Sequence, residues 1–166
     1  MTTQTPLRTQ VQVSSPLGPL FLVASDKGLT GIYRKKQPLS VSKHGSAATP
    51  NQEKHLRRAA SELAEYFAGQ RTDFTVSLDL DGTPFQKKVW AQLSKIPYGQ
   101  TRSYKDIAQG IQNEKAVRAV GSANGKNPVC IIVPCHRVIA HDGSLGGYSG
   151  GLKMKTTLLE IERQHS

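Results

Sequence analysis

The chain has 166 residues, 22 Lys and Arg against 12 Asp and Glu, a formal charge of +10, and only two cysteines. At 37% hydrophobic and 20% charged it has ordinary globular composition, which excludes wholesale disorder and collagen-like or coiled-coil fibres. Two cysteines exclude a disulfide scaffold and a thiolate-built structural zinc site, so no metal and a reducing, cytoplasmic setting are expected.

The longest apolar run, Val129 to Cys135, is about seven residues, against the roughly 20 that span a bilayer, so no membrane partner is expected. Met1 to Pro6 lack the apolar stretch of a secretory signal. The positive charge is uneven. Between Phe85 and Arg137, nine basic residues face only Asp106 and Glu114, a local excess of +7. Such a stretch favours a polyanion through counterion release, although a merely solvated surface has the same composition.

In chain order, the first 36 residues read as a meander of short strands, Leu7 to Val13, Leu20 to Ala24 and Leu29 to Tyr33. Ser15-Pro16-Leu17-Gly18 and Asp26-Lys27-Gly28 supply the turns, and Lys35 to Thr49 reads as a loop. From Asn51 the period becomes helical, with Leu56, Ala59, Ala60, Leu63 and Phe67 on one face and an end near Gly69. Asp73 to Leu80 alternates as a half-buried strand does, and Asp81-Gly82-Thr83-Pro84 closes the first half.

The second half is mostly helical. Thr83 is an N-cap followed by Pro84, with Phe85, Val89, Trp90, Leu93 and Ile96 as an apolar stripe. Ser103 caps a short helix with Asp106 at the capping-box position, and Lys115 to Asn124 forms another helix after a connector. That pair is patterned as a helix-turn-helix. A strand over Val129 to Val133, a Gly-rich loop over Gly143 to Gly151 and a final helix with Leu152, Leu158, Leu159 and Ile161 complete the chain. The expected fold class is α+β: an antiparallel strand meander with one long helix, then a winged-helix-like domain. The division falls at residues 1–80 and 81–166.

Pro134-Cys135-His136-Arg137-Val138 is the segment richest in chemistry. A thiolate is the nucleophile, and cationic or hydrogen-bonding neighbours favour it. His136 and Arg137 adjoin Cys135, and Glu162 on the last helix is within reach of the histidine to set its tautomer. Cys130, in an apolar run, reads as a small hydrophobe, and a strand between the two would point their sulfurs to opposite faces, against a disulfide.

This segment resembles the active-site signature of the O6-alkylguanine-DNA alkyltransferases. Gly82-Thr83-Pro84-Phe85-Gln86, Val89-Trp90, Ile96-Pro97-Tyr98-Gly99, Ser103-Tyr104, Arg118-Ala119-Val120-Gly121, Asn127-Pro128 and Tyr148-Ser149-Gly150-Gly151 share the family's order and spacing. The resemblance implies a stoichiometric protein that repairs double-stranded DNA as a monomer and without a cofactor. Cys135 takes the alkyl group from O6-alkylguanine, with O4-alkylthymine a second candidate substrate. It further implies that His136 and Glu162 activate Cys135 through a water, and that Asn127 ties the helix-turn-helix to the active-site segment. Tyr104, Arg118, Arg137 and Ser103 would serve DNA binding and base flipping, with Val138, Tyr148, Ser149 and Trp90 around the base. Residues 1–80 would be structural and 81–166 would bind DNA and accept the alkyl group. Two other readings remain open: a helix-turn-helix DNA binder or non-repairing alkyltransferase-like protein, and a cysteine hydrolase.

Overall fold

The computed structural model describes residues 8–39 and 48–166; Leu7 and residues 40–47 of the expected loop lie outside them. The chain forms two compact units, Met1–Asp81 and Gly82–Ser166.

In the first unit, β1 (Thr9–Val13), β2 (Leu20–Ala24) and β3 (Leu29–Tyr33) form an antiparallel sheet in sequential order. The β1–β2 turn needs Gly18, whose φ of 97° lies in the left-handed region, while Ser15 Oγ accepts from Leu17 N. Leu20, Leu22, Val23 and Ala24 of the central strand are all buried. Helix α1 (Pro50–Phe67) packs on this sheet through Leu56, Ala59, Leu63 and Tyr66. Its start is a capping box between Thr49 and Gln52 with Pro50 in the first turn.

The strand expected over Asp73 to Leu80 is an extended segment that meets the sheet at one point. Leu78 bridges Leu29, with Leu29 N donating to Ser77 O and Asp79 N to Leu29 O. Upstream, the buried Glu62 carboxylate takes the N–H groups that a neighbouring strand would otherwise need. It accepts from Thr75 N at 2.9 Å, Val76 N at 3.0 Å and Thr75 Oγ1 at 2.6 Å. Alternating polarity therefore reported one buried side chain, Val76, rather than a ladder.

The second unit begins with α2 (Pro84–Leu93), capped by Thr83 as expected, with Gln86 completing a capping box. Strand β4 (Arg102–Ser103) leads directly into α3 (Tyr104–Gly110), whose capping box joins Ser103 and Asp106. A connector leads to α4 (Val117–Gly125), completing the helix-turn-helix. A single 3₁₀ turn, Cys135–Arg137, then runs into β5 (Val138–Ile139), and α5 (Leu152–His165) closes the chain. β5 pairs in parallel with β4, Arg102 opposite Val138 and Ser103 opposite Ile139. This short ladder sets the start of α3 beside the end of the Cys135 turn.

Residues 129–133 are a tight turn, contrary to the expected strand. Val133 N donates to Val129 O, and Ile131 has a φ of 76°, an unfavourable conformation for a β-branched residue. Ile131 is fully buried, and Asn127 spans the turn with Nδ2 on Val133 O at 2.7 Å and Oδ1 accepting from Val129 N at 3.0 Å. Burial and these bonds offset the backbone strain. The strand-face argument about the two sulfurs falls with the strand; both cysteines are free thiols.

Burial alone raises the Glu62 pKa, but the bonds from Thr75 and Val76 and the charge of Arg71 outweigh it, so the carboxyl lies below its ordinary value. Its contribution to stability is complete above the ordinary carboxylate range and is lost as pH falls through the lowered value. Glu62→Ala is expected to destabilise the protein by roughly 2–4 kcal/mol in urea unfolding at neutral pH, because buried donors lose their acceptor. Glu62→Gln is expected to flatten the acid limb of the stability curve.

Candidate active site

The 3₁₀ turn places Cys135 and His136 in the interior, with 1% and 0% of their surface exposed. Helix α5 brings Glu162 to them, because Lys155, Leu158 and Glu162 share one buried stripe of that helix. His136 Nε2 lies 2.5 Å from Glu162 Oε2. A carboxylate only accepts, so Nε2 carries the proton and Nδ1 presents a lone pair. Nδ1 is buried with no protein partner.

Glu162 is shared. Arg137 Nε donates to Oε1 at 2.8 Å and Nη2 to Oε2 at 3.1 Å, while Gly99 N reaches Oε1 at 3.2 Å. Arg137 Nη1 bonds Ile96 O at 2.7 Å, and its guanidinium lies over the Tyr98 ring at 5.6 Å. Arg137 is thus an interior strut, buried by its pairing with Glu162, rather than the DNA-surface residue expected from its charge. Trp90 departs in the same way. Its indole is buried between α2 and α4, with Nε1 donating to Ala123 O at 2.9 Å, so it cements the core. Ser103 Oγ accepts from Asp106 N as the cap of α3.

Other expected residues converge on the thiol. Asn127 and Tyr148 lie near enough to Cys135 to favour its charged form. Val138 is buried in β5, and its N–H donates to Cys135 O. Tyr104, half-buried at the first turn of α3, donates from Oη to Gly147 O at 3.4 Å. Gly146, at φ 69°, packs so closely that an added Cβ would lie 3.2 Å from the Tyr104 ring. Ser149 is exposed in the same loop. Arg118 is exposed on α4, flanked by Val117 and Ala119, which are also exposed and leave the helix surface small around it.

Two functional candidates escaped the sequence reading. Lys155 is fully buried, its Nζ donating to Val138 O at 2.6 Å, to Gly147 O at 3.3 Å and to Leu145 O. It therefore staples the Gly-rich loop to β5. Its signal was available: a lysine three and seven residues before Leu158 and Glu162 lies on the buried stripe. Asn124 is buried on α4, where a polar residue between Ala123 and Gly125 carried no periodic signal.

The electrostatics define a resting state. Burial pushes the Cys135 thiol above its ordinary pKa; bonds from Asn127, Tyr148 and its own N–H, and the Lys155 charge, oppose this without overcoming it. Burial likewise holds His136 below the ordinary imidazole value, against the Glu162 bond and charge. Desolvation raises the Tyr104 phenol, with the nearby thiol adding to it, and lowers Lys155. At neutral pH the centre is a thiol beside a neutral imidazole. It can pass a proton from sulfur to Nδ1 when an electrophile arrives.

Arg137→Ala leaves Glu162 short of two charge-assisted bonds and is expected to cost roughly 3–5 kcal/mol of stability in thermal or urea unfolding. Under conditions where the variant is folded, the slope of DNA affinity against salt is expected to match wild type, since a buried guanidinium displaces no counterion.

The family model for the DNA-binding domain of 6-O-methylguanine DNA methyltransferase matches residues 84–164. The model for the ribonuclease-like domain of the same enzyme matches residues 12–80. A methylated-DNA–protein-cysteine methyltransferase of Mycolicibacterium paratuberculosis is 48% identical over 154 residues, covering 93% of this chain and 92% of that protein. One from Methanosarcina barkeri is 43% identical, covering 92% and 96%. Among solved structures, the Mycobacterium tuberculosis O6-methylguanine methyltransferase superposes with a TM-score of 0.81 at 44% identity, covering 96% and 95% of the two chains. The M. tuberculosis OGT crystallised in complex with DNA gives 0.81 at 46%, covering 93% and 92%. With a buried Cys–His–Glu centre and both family domains in order, this chain belongs to the O6-alkylguanine-DNA alkyltransferase family.

Proposed function

We propose that this chain repairs DNA by moving the alkyl group of O6-alkylguanine onto Cys135. The observation that carries the reading is the buried thiol beside a histidine whose Nε2 is held by Glu162 and whose Nδ1 is left as a base. His136 accepts the Cys135 proton through a water; sulfur attacks the alkyl carbon in line, and the C–O6 bond breaks toward guanine. The proton returns to the purine, so thiol and alkylguanine become thioether and guanine. A thioether is a poor leaving group, and each molecule acts once. O4-alkylthymine offers the same kind of carbon to the thiolate.

The other residues follow from their surroundings. Asn127, Tyr148 and the Lys155 charge favour the thiolate that burial opposes. Tyr104, kept as a neutral phenol, donates to the purine ring as charge develops on it. Guanine O6 is inaccessible to a thiol inside a stacked duplex, so the nucleotide is extruded. Exposed Arg118, on a helix face of small residues, enters the space it leaves from the minor groove. Ser149 and Tyr148 wall the pocket. Residues 82–166 carry binding and chemistry, residues 1–81 support them, and the protein works as a cytoplasmic monomer.

Incubation with an oligonucleotide bearing O6-methylguanine is expected to add one methyl, about 14 Da, to Cys135 in peptide mass mapping, as alkylation of a thiolate requires. Cys135→Ser is expected to gain nothing; a methyl on Cys130 overturns the assignment. Arg118→Ala is expected to slow repair of duplex DNA by about 10-fold or more while leaving reaction with free O6-alkylguanine base within about twofold, since only extrusion is affected. Equal losses on both substrates overturn its role.

A further inference from the structure

We infer that Asn124 is a positioning residue, coupling the DNA-facing helix α4 to the backbone of the nucleophile. The inference rests on the reading of Cys135 as the alkyl acceptor. Asn124 stands one residue before the end of α4, only 3% exposed, with Nδ2 directed at Cys135 O at 3.4 Å. The amide orientation is fixed by chemistry, because turning it over would oppose two carbonyl oxygens.

The same end of α4 holds the other polar group of Cys135 indirectly. Cys135 N donates to Val133 O at 2.8 Å, and that oxygen also accepts from Asn127 Nδ2 at 2.7 Å. Two amides at the C-terminal end of α4 therefore frame the backbone that aims the sulfur, one on each side. Trp90 fixes the same turn of α4 through Ala123 O. Displacement of α4 by bound DNA is transmitted along this rigid path to the thiol.

Stability by itself argues against an asparagine here. It is a poorer helix former than leucine, and its Oδ1 is buried with no protein partner. A leucine, with the same branched skeleton of heavy atoms, carries no such penalty. An amide placed at a cost to stability, on the one helix that also presents Arg118, is explained by what it holds.

The test compares Asn124→Leu and Asn124→Asp with wild type in single-turnover transfer from O6-methylguanine DNA at saturating protein, alongside DNA affinity and Tm. Asn124→Leu is expected to keep or raise Tm and hold Kd within about twofold, yet to slow transfer by about 10-fold, the worth of one hydrogen bond near the reacting group. Asn124→Asp keeps the shape but loses the donor and adds negative charge, so its pH–rate profile is expected to move to higher pH as thiolate becomes harder to form. Should the leucine variant not fold, the aspartate variant decides alone. A transfer rate within twofold of wild type in the folded variants, or a loss matched by equal losses in Tm or DNA affinity, overturns the inference and leaves the assignment of Cys135 standing. Wild-type protein that gains no methyl overturns the reading of the site and this inference together.

Discussion

The second unit is organised around a single buried carboxylate. Glu162 has two oxygens, and these accept from His136, twice from Arg137 and from the Gly99 backbone. A lone carboxylate in this interior would be strongly disfavoured; with four donors it becomes a fixed anionic point. It sets the imidazole tautomer, holds Arg137 inside the fold, and through Arg137 Nη1 ties α5 to the backbone at Ile96. The active-site turn, the end of α5 and the Pro97–Gly99 bend are thereby tied together by hydrogen bonds.

Around that point the protein balances two opposed demands on Cys135. Dryness strengthens every bond to the reacting atoms but keeps the thiol protonated, while Asn127, Tyr148 and Lys155 draw it toward thiolate. The resting molecule stays on the protonated side. A stoichiometric protein gains from this, because a permanently exposed thiolate would be spent on any small electrophile before meeting damaged DNA. Burial also keeps His136 neutral, so the lone pair on its Nδ1 is present from the start.

Lys155 and the β4–β5 ladder do for the pocket walls what Glu162 does for the nucleophile. The ladder sets Tyr104 beside the Cys135 turn, and the lysine gathers carbonyls from β5 and the Gly-rich loop. A loop with Gly143, Gly146 and Gly151 all at positive φ has many alternative conformations, and one buried cation with three acceptors selects among them.

Local signals were strong enough to be read from the sequence where a few neighbouring residues decide the outcome. The Thr83 cap, the Ser103–Asp106 capping box, the strand meander, the helix-turn-helix and the adjacent Cys135–His136 pair are of this kind, and the fold class with them. The +10 charge and the two cysteines narrowed the chemistry to a polyanion and a thiol. Tertiary structure decided what depends on distant partners. Charge marked Arg137 for the surface, yet Glu162, 25 residues on, draws it inside. Alternation marked residues 73–80 as a strand, yet Glu62 takes their donors. Apolar composition marked 129–133 as a strand, yet Asn127 and the burial of Ile131 fold it into the turn that delivers the nucleophile. In the first two cases a buried polar side chain found a partner distant in sequence, and the low-dielectric interior made that pairing outweigh local preference; in the third a half-buried asparagine bonded the turn beside it. Composition identified the reagent; the burial of Glu162 with its four donors determined how it is held.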